Sequence, residues 1–258
     1  MYYQTKAFIQ FLLQSTNKHG IHSPFVYNLI AKCFNTKIPK TIRHQLRVFK
    51  KGLLQNQNII TITDFGAGSK KLNSGKRKVS EIAKSAGMRY NRMFLLNQII
   101  KYFDIKKALE IGTSVGVSAA AMAIDNPNCN LITLEGCENT AAIAKNQFKK
   151  FNLTNITVKT GRFEITLPQV LKNQKFDLIF FDGNHQKTPT INYFEQCLPH
   201  IHNDSVFIFD DIYWSKGMTE AWHYIKNHPK TSVSIDTYQW GIIFFRKEQV
   251  KENFVVRI

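Results

Sequence analysis

The sequence is poor in acidic residues over its first 107 positions. Residues 1–107 contain 20 Lys and Arg but only three acids, Asp64, Glu81 and Asp104, whereas residues 108–258 contain 15 residues of each sign. The net charge of +17 therefore comes from the N-terminal part alone. A basic block of this kind attracts RNA, anionic lipid head groups or an acidic substrate, or it serves only to keep the protein soluble.

Long apolar runs and paired cysteines are also absent. No apolar run approaches the roughly 20 residues that span a bilayer, and the N-terminus lacks the cleavage pattern of a signal peptide. The four cysteines are scattered without a CxxC pair, which favours reduced thiols over a disulfide framework or a zinc site. We therefore expect a cytoplasmic protein with no transmembrane segment.

The last 150 residues alternate between strand and helix patterns, which is typical of an α/β fold with a mostly parallel sheet. Two final strands, at 232–236 and 241–246, are joined by so few residues that they must form an antiparallel hairpin. Five earlier strands are predicted at 107–111, 130–134, 156–159, 176–181 and 205–209. The sequence thus predicts a seven-stranded Rossmann-like domain over residues 91–258 and a helical, basic N-terminal cap over residues 1–90.

A glycine turn follows the first strand of this domain. Residues 108–118 read Ala-Leu-Glu-Ile-Gly-Thr-Ser-Val-Gly-Val-Ser, and Glu135 ends the next strand. In a nucleoside-binding sheet, an acid at that position accepts hydrogen bonds from ribose hydroxyls. The GxxxG spacing lacks the middle glycine that admits a pyrophosphate, which disfavours a dinucleotide. A ligand with a ribose, an amino group and a sulfonium suits the turn better, with Glu110 holding the amino group directly or through water.

Residues 110–118 followed by Glu135 resemble motif I and the next acidic position of class I S-adenosylmethionine (SAM)-dependent methyltransferases. The resemblance is greatest to the O-methyltransferase branch, which includes catechol and caffeoyl-CoA enzymes, and it covers roughly residues 85–246. It implies SAM as the cofactor, although Tyr90-Asn91-Arg92 stands where the family often has a glycine-glutamine pair. The predicted cofactor contacts are Glu110, Gly112, Thr113, Ser114, Gly116, Ser118, Glu135, Gly136, Gly161, Arg162, Phe163 and Asp182.

Acidic residues and a histidine follow the fourth and fifth predicted strands. Asp182 and His185 come after the fourth strand, and Asp210 and Asp211 after the fifth. Methyl transfer needs an aligned, deprotonated nucleophile. His185 can act as general base, with Asp182 as the second catalytic residue. Alternatively, the three aspartates bind Mg²⁺, which acidifies a bound hydroxyl; the two routes are compatible.

This arrangement is similar to that of metal-dependent catechol-type enzymes, with two departures. Asp211 stands where an asparagine is usual, and His185 stands where those enzymes carry a lysine base. The resemblance implies a small-molecule acceptor hydroxyl, and the basic N-terminal region suits an acidic acceptor. A homodimer is compatible with both. An alternative is an RNA or protein methyltransferase that binds its substrate through the basic N-terminal region. A third interpretation is a non-catalytic nucleotide-sensing protein that keeps the fold.

Three further features have two interpretations each. The second glycine-rich segment, Asp64–Ser69, together with the basic residues that follow it, is a loop that folds over the substrate or a plain turn. Trp214, Met218 and Trp222 line an acceptor pocket or belong to the core. Phe163 covers the adenine ring or packs in the core.

Overall fold

The computed structural model describes residues 2–63, 75–85 and 87–258. The described α-helices are α1 (Tyr2–Gln14), α2 (Pro24–Leu29), α3 (Lys40–Leu54), α4 (Val79–Ser85), α5 (Tyr90–Tyr102), α6 (Val117–Ala123), α7 (Glu138–Lys150), α8 (Phe163–Leu171), α9 (Lys187–Cys197) and α10 (Lys216–Asn227). The strands are β1 (Ile59–Thr61), β2 (Lys76–Lys78), β3 (Lys107–Ile111), β4 (Asn130–Glu135), β5 (Ile156–Thr160), β6 (Leu178–Phe181), β7 (Val206–Asp210), β8 (Val233–Asp236), β9 (Trp240–Phe244) and β10 (Glu252–Val255).

The α/β fold predicted from the sequence is confirmed. The main sheet is mixed, mostly parallel and eight-stranded, and β1 and β2 form a separate antiparallel pair. The chain divides into two compact units. Unit 1 contains Met1–Asn35 and Leu171–Ile258, and unit 2 contains Thr36–Val170. The boundary near residue 90, drawn from composition, stays a prediction.

Unit 2 contains the parallel strands β3, β4 and β5. Strand β3 has the predicted bounds, and its last four residues are buried. The following helix, α6, is wholly buried because its sequence, Val-Ser-Ala-Ala-Ala-Met-Ala, offers small side chains that let neighbours approach closely. The turn between β3 and α6 is therefore held on a rigid, buried base.

The basic stretch at residues 37–51 forms most of helix α3, which was not predicted. Ile42, Leu46, Phe49 and Leu53 are buried at spacings of four, three and four residues, as expected for the apolar side of an amphipathic helix. Most of the basic residues of α3 occupy the other side. The sequence prediction stressed its charge and overlooked this periodicity.

Unit 1 contains the remaining strands of the main sheet. Strands β6 and β7 are parallel, β9 runs antiparallel to β7, and β8 and β9 form the predicted hairpin. Strand β10 pairs in parallel with β8 and was not predicted. The prediction of seven strands in the main sheet was therefore short by one.

Helix α1 packs in unit 1 against the segment that follows β7. The Tyr3 hydroxyl donates to Thr219 Oγ1 at 2.7 Å, and Gln4 Nε2 donates to the carbonyl of Trp214 at 3.1 Å. The Tyr238 hydroxyl, from the β8–β9 turn, donates to the carbonyl of Gln4 at 2.9 Å. Helix α1 thus fixes the backbone that carries Trp214.

Two expectations about membranes and cysteines were tested in the described part of the chain. Within residues 2–63, 75–85 and 87–258, no helix has both the length and the apolar character needed to cross a membrane. The cysteines are free and buried, as predicted for reduced thiols: Cys33, Cys129, Cys137 and Cys197.

Candidate functional site

The glycine turn between β3 and α6 is shaped by left-handed backbone conformations. Gly112 has a φ of 110°, Ser114 of 49° and Gly116 of 86°. The backbone N–H groups of Gly112 and Thr113 both donate to the carbonyl of Leu134 at 3.0 Å, which ties the turn to the end of β4. These hydrogen bonds hold the glycine turn next to the end of β4, where Glu135 lies.

Gly116 has a second structural role that the sequence did not reveal. A Cβ at this position would lie 2.5 Å from Cζ of Phe148 and 3.3 Å from Cβ of Ala144, both on α7. The absence of a side chain therefore lets α7 pack against the start of α6. Gly116 was predicted to let the backbone approach a ligand closely. The structure shows that the packing of α7 also requires a glycine here.

Glu135 joins the glycine turn to the segment after β4. Its Oε2 accepts the backbone N–H of Ser114 at 2.7 Å, and its Oε1 accepts that of Cys137 at 2.9 Å. Each carboxylate oxygen has a second lone pair that can accept a further hydrogen bond. The half-buried carboxylate, followed by half-buried Gly136, is therefore held in a fixed orientation at the turn.

Glu110 lies in the interior at the end of β3, and its predicted contact with the amino group of the cofactor stays a prediction. It is completely buried, and its Oε2 accepts a hydrogen bond from Thr133 Oγ1 at 2.5 Å. Burial raises the pKa of Glu110 to about 7, against the opposing effect of a hydrogen bond from Ser118. Oε1 is buried with no hydrogen-bond partner among the described residues. A fully buried carboxyl supports the turn from beneath.

Thr113 and Ser118 belong to the same buried polar cluster. Thr113 Oγ1 lies 2.5 Å from Thr133 Oγ1, which in turn donates to Glu110. Both Thr113 and Ser118 are buried. Three of the predicted cofactor residues, Glu110, Thr113 and Ser118, are therefore buried polar groups next to the turn. Two others, Ser114 and Glu135, are half-buried.

The loop after β5 is tied to the end of β4. The Gly161 N–H donates to the Glu135 carbonyl at 2.9 Å, and Gly161 has a φ of 140°. Arg162 is exposed and lies 3.6 Å from Glu164, measured from Nε to Oε2. Phe163 begins α8 and is half-buried. Both interpretations of Phe163 remain open.

In unit 1, the turn after β6 brings Asp182 and His185 together. His185 Nε2 lies 3.8 Å from Asp182 Oδ1, and both side chains are mostly buried. Asn184 and His185 have φ values of 68° and 35°. Left-handed conformations cost energy for residues with a side chain and concentrate at functional turns. The Asn184 side chain donates to the Tyr193 hydroxyl at 3.3 Å.

The predicted Mg²⁺ ligands do not form a ligand set. Within the described ranges, no group of three or more His, Cys, Asp or Glu side chains is arranged to hold a metal ion. Asp210 ends β7 and is buried, and Asp211 follows with a φ of 53°. Asp182, Asp210 and Asp211 do not belong to any such group. The donor arrangement of the described residues thus does not fit Mg²⁺.

Trp214, Met218 and Trp222 follow β7 and differ in burial. Met218 and Trp222 are buried, and the Trp222 indole donates to Asp236 Oδ2 at 3.3 Å. The core interpretation is confirmed for these two. Trp214 is half-buried, and its ring lies 6.4 Å from that of His185 between centroids. Trp214 therefore remains a candidate to contact an acceptor.

A buried aspartate cluster in unit 1 was missed by sequence reasoning. Asp236 Oδ2 accepts the Tyr213 hydroxyl at 2.6 Å, and Oδ1 accepts the Tyr238 N–H at 2.8 Å. Burial raises the pKa of the Asp236 carboxyl, and these hydrogen bonds oppose the rise. No spacing in the sequence signals this cluster, because its members come from three separate segments.

The second glycine-rich segment, Asp64–Ser69, lies outside the described residues.

Comparisons with known proteins agree with this architecture. Residues 109–212 match the family model described as a methyltransferase domain. The O-methyltransferase TomG from Streptomyces achromogenes, solved with SAM, is similar with a TM-score of 0.54 and 18% identity, over 63% of this chain and 82% of TomG. An O-methyltransferase from Bacillus cereus, solved with SAH, is similar with a TM-score of 0.54 and 20% identity. The similarity covers 85% of this chain and 96% of that protein.

A third solved structure extends the similarity over most of the chain. The SAH-bound methyltransferase PaMTH1 from Podospora anserina gives a TM-score of 0.60 and 15% identity, covering 88% of this chain and 97% of that protein. The protein therefore has the fold of class I methyltransferases. Residues 109–212 are similar to a methyltransferase domain, and the fold is similar to that of solved O-methyltransferases.

Proposed function

We propose that this protein is a SAM-dependent O-methyltransferase that methylates a hydroxyl of a small molecule. The observation that carries the proposal is the position of Glu135 at the glycine turn, with its carboxylate held by the N–H groups of Ser114 and Cys137. A carboxylate held in this way can accept hydrogen bonds from ribose hydroxyls with a smaller loss of side-chain entropy than a mobile one. The similar structures named for O-methyltransferase activity support the same reaction.

The turn residues have distinct roles in this proposal. Gly112, Ser114 and Gly116 shape the backbone that faces the cofactor, and Glu135 binds its ribose. Glu110 acts through the turn that it supports, with Thr113 and Ser118 as its partners. Gly136, Gly161, Arg162 and Phe163 would border the adenine. The sulfonium supplies the methyl group for the in-line displacement.

His185 is the general base of the proposed reaction. An imidazole can remove a proton from an acceptor hydroxyl near neutral pH. Asp182, whose Oδ1 lies 3.8 Å from His185 Nε2, orients the ring and stabilises the imidazolium that forms. The proposal assigns no step to a metal, since the described carboxylates do not fit one. Half-buried Trp214 would contact the acceptor.

The test is a direct assay of both halves of the proposal. Calorimetry with SAM measures cofactor binding, and the formation of SAH is followed with a panel of phenolic and aliphatic hydroxyl compounds. We expect SAM to bind and SAH to form with at least one hydroxyl acceptor. Binding of SAM with transfer only to amines or thiols would contradict O-methylation, and the absence of SAM binding would overturn the whole proposal.

A second candidate function is methylation of RNA, and one observation favours it. The described residues of unit 2 before β3 contain only two acids, Glu81 and Asp104, among many basic residues. Binding of RNA that weakens steeply with salt, accompanied by methyl transfer to RNA, would favour this candidate over a small-molecule acceptor.

A further inference from the structure

A group of basic side chains lies where α3 meets the start of α5 in unit 2. Arg43, Arg47 and Lys50 come from one side of α3, at spacings of four and three residues, and Arg89 directly precedes α5. We call these four residues the α3 cation cluster. Arg47 and Arg89 are exposed, Arg43 is half-buried, and Lys50 is buried.

Two aromatic rings of α5 hold the α3 cation cluster in place. The Arg43 guanidinium lies 5.5 Å from the centre of the Phe94 ring, and that of Arg47 lies 5.9 Å from the same ring. Lys50 Nζ lies 5.0 Å from the centre of the Tyr90 ring. The negative face of an aromatic ring attracts a cation placed over it. They position the cations but do not neutralise their charge.

The described residues supply no counter-charge to this cluster. Before β3, the described part of unit 2 has only two carboxylates. Glu81 accepts the backbone N–H of Lys78, and Asp104 pairs with Lys106. None of the four cations forms an ion pair with a described carboxylate. Mutual repulsion therefore opposes the arrangement as it stands.

Two of the four cations are partly or wholly buried. Arg43 Nε is buried and has no acceptor among the described residues, although a buried N–H group without a partner is costly. Lys50 is 7% exposed and donates to the carbonyl of Met88 at 2.5 Å. Burial and the charge of Arg89 lower the pKa of Lys50. A bound anion would relieve the repulsion among these cations.

We propose that the α3 cation cluster is a binding site for a phosphate group. The planar guanidinium of arginine matches two phosphate oxygens at once, and lysine adds a point charge. A single carboxylate would neutralise only one of four cations, whereas a phosphate or pyrophosphate group carries enough charge to engage several. The proposal does not depend on methyl transfer, because the site can bind phosphate whether or not the protein is an active enzyme.

The test measures binding of three phosphate probes to the full-length protein: inorganic pyrophosphate, a nucleoside 5′-monophosphate and a single-stranded RNA oligonucleotide. The variant Arg43→Gln/Arg47→Gln removes two arginines of the cluster. Its matched control, Lys149→Gln/Lys150→Gln, removes two exposed charges from the last turn of α7 in the same unit. We expect the arginine variant to bind about tenfold more weakly or worse, and the control to change by less than about twofold.

The three probes also distinguish the source of the phosphate. Binding of pyrophosphate and the nucleotide as tight as that of RNA assigns the site to small phosphorylated molecules. Much tighter binding of RNA, with strong salt dependence, assigns it to the nucleic-acid backbone. Should the double variant fail to fold, exposed Arg47→Gln alone replaces it. The proposal is overturned if the wild-type protein binds none of the probes, or if both variants lose affinity equally.

Discussion

Gly116 and Phe148 are in such close contact that a single added methyl group would overlap the ring. A Cβ on Gly116 would lie 2.5 Å from Phe148 Cζ, and the φ of Gly116 is 86°. One residue thereby sets both the backbone of the proposed cofactor turn and the packing of α7 against it. We therefore expect a side chain at this position to affect both stability and cofactor binding.

The substitution Gly116→Ala tests this coupling. We expect it to destabilise the protein by about 2–4 kcal/mol, since a left-handed alanine costs about 1–2 kcal/mol and overpacking adds a similar amount. Chemical denaturation measures the change. Gly217→Ala is the control, because the nearest side-chain atom to its Cβ is 3.4 Å away, which is ordinary contact. Equal stability of the two variants would show that the contact with Phe148 is unimportant.

Glu110 makes stability depend on pH. Its folded-state pKa is raised from 4.5 to about 7, so the folded state binds more protons than the unfolded state between these values. The free energy of unfolding should therefore fall as pH rises from about 5 to about 7, by roughly 3 kcal/mol for a shift of this size. Denaturation at several pH values measures the slope.

The variant Glu110→Gln isolates this contribution. Burial also raises the pKa of Asp236, which adds a slope of the same sign in the wild type and in the variant. The difference between the two proteins therefore reports Glu110 alone. We expect the variant to gain stability relative to the wild type as pH rises. Parallel curves would mean that the pKa of Glu110 is the same in the folded and the unfolded state.

Removal of the His185 imidazole should lower turnover without weakening cofactor binding. A positioned general base contributes about 10²–10⁴-fold to the rate, so His185→Ala should reduce kcat by at least about 100-fold. The control is His202→Ala, because His202 forms a similar pair with Asp177, at 2.9 Å, in the same unit. Loss of activity in the control alone, or full activity of His185→Ala, would remove His185 from the mechanism.

Local sequence patterns predicted the core of the fold well. Strand β3 has the predicted bounds because a short apolar segment before a glycine turn has few alternatives, and the short link between β8 and β9 allowed only a hairpin. Strand β10 was missed since it is only four residues long, with two of them exposed. Its pairing with β8 is a tertiary contact that no local pattern encodes.

The sequence predicted which residues lie near the glycine turn but not how deeply each one is buried. Glu135 was correctly placed beside the glycine turn, because the end of a strand fixes where its last residue lies. Glu110 was predicted to hold the amino group of the ligand, directly or through water, and that contact stays a prediction. Its complete burial was not predicted. Its burial depends on Thr133 and Ser118, which come from neighbouring elements. Whether a polar residue near a turn is buried or exposed depends on tertiary packing, which the spacing of residues in the sequence does not reveal.

The most direct test of the proposed function is calorimetric titration of SAM into the wild type, Glu135→Ala and the control Glu138→Ala. Glu138 is exposed in the first turn of α7, three residues beyond Glu135, and has no proposed role in binding. We predict that Glu135→Ala weakens SAM binding at least tenfold, which corresponds to about 1.4 kcal/mol, and that Glu138→Ala binds like the wild type. Equal SAM affinity of folded Glu135→Ala and wild-type protein would contradict the proposed cofactor site.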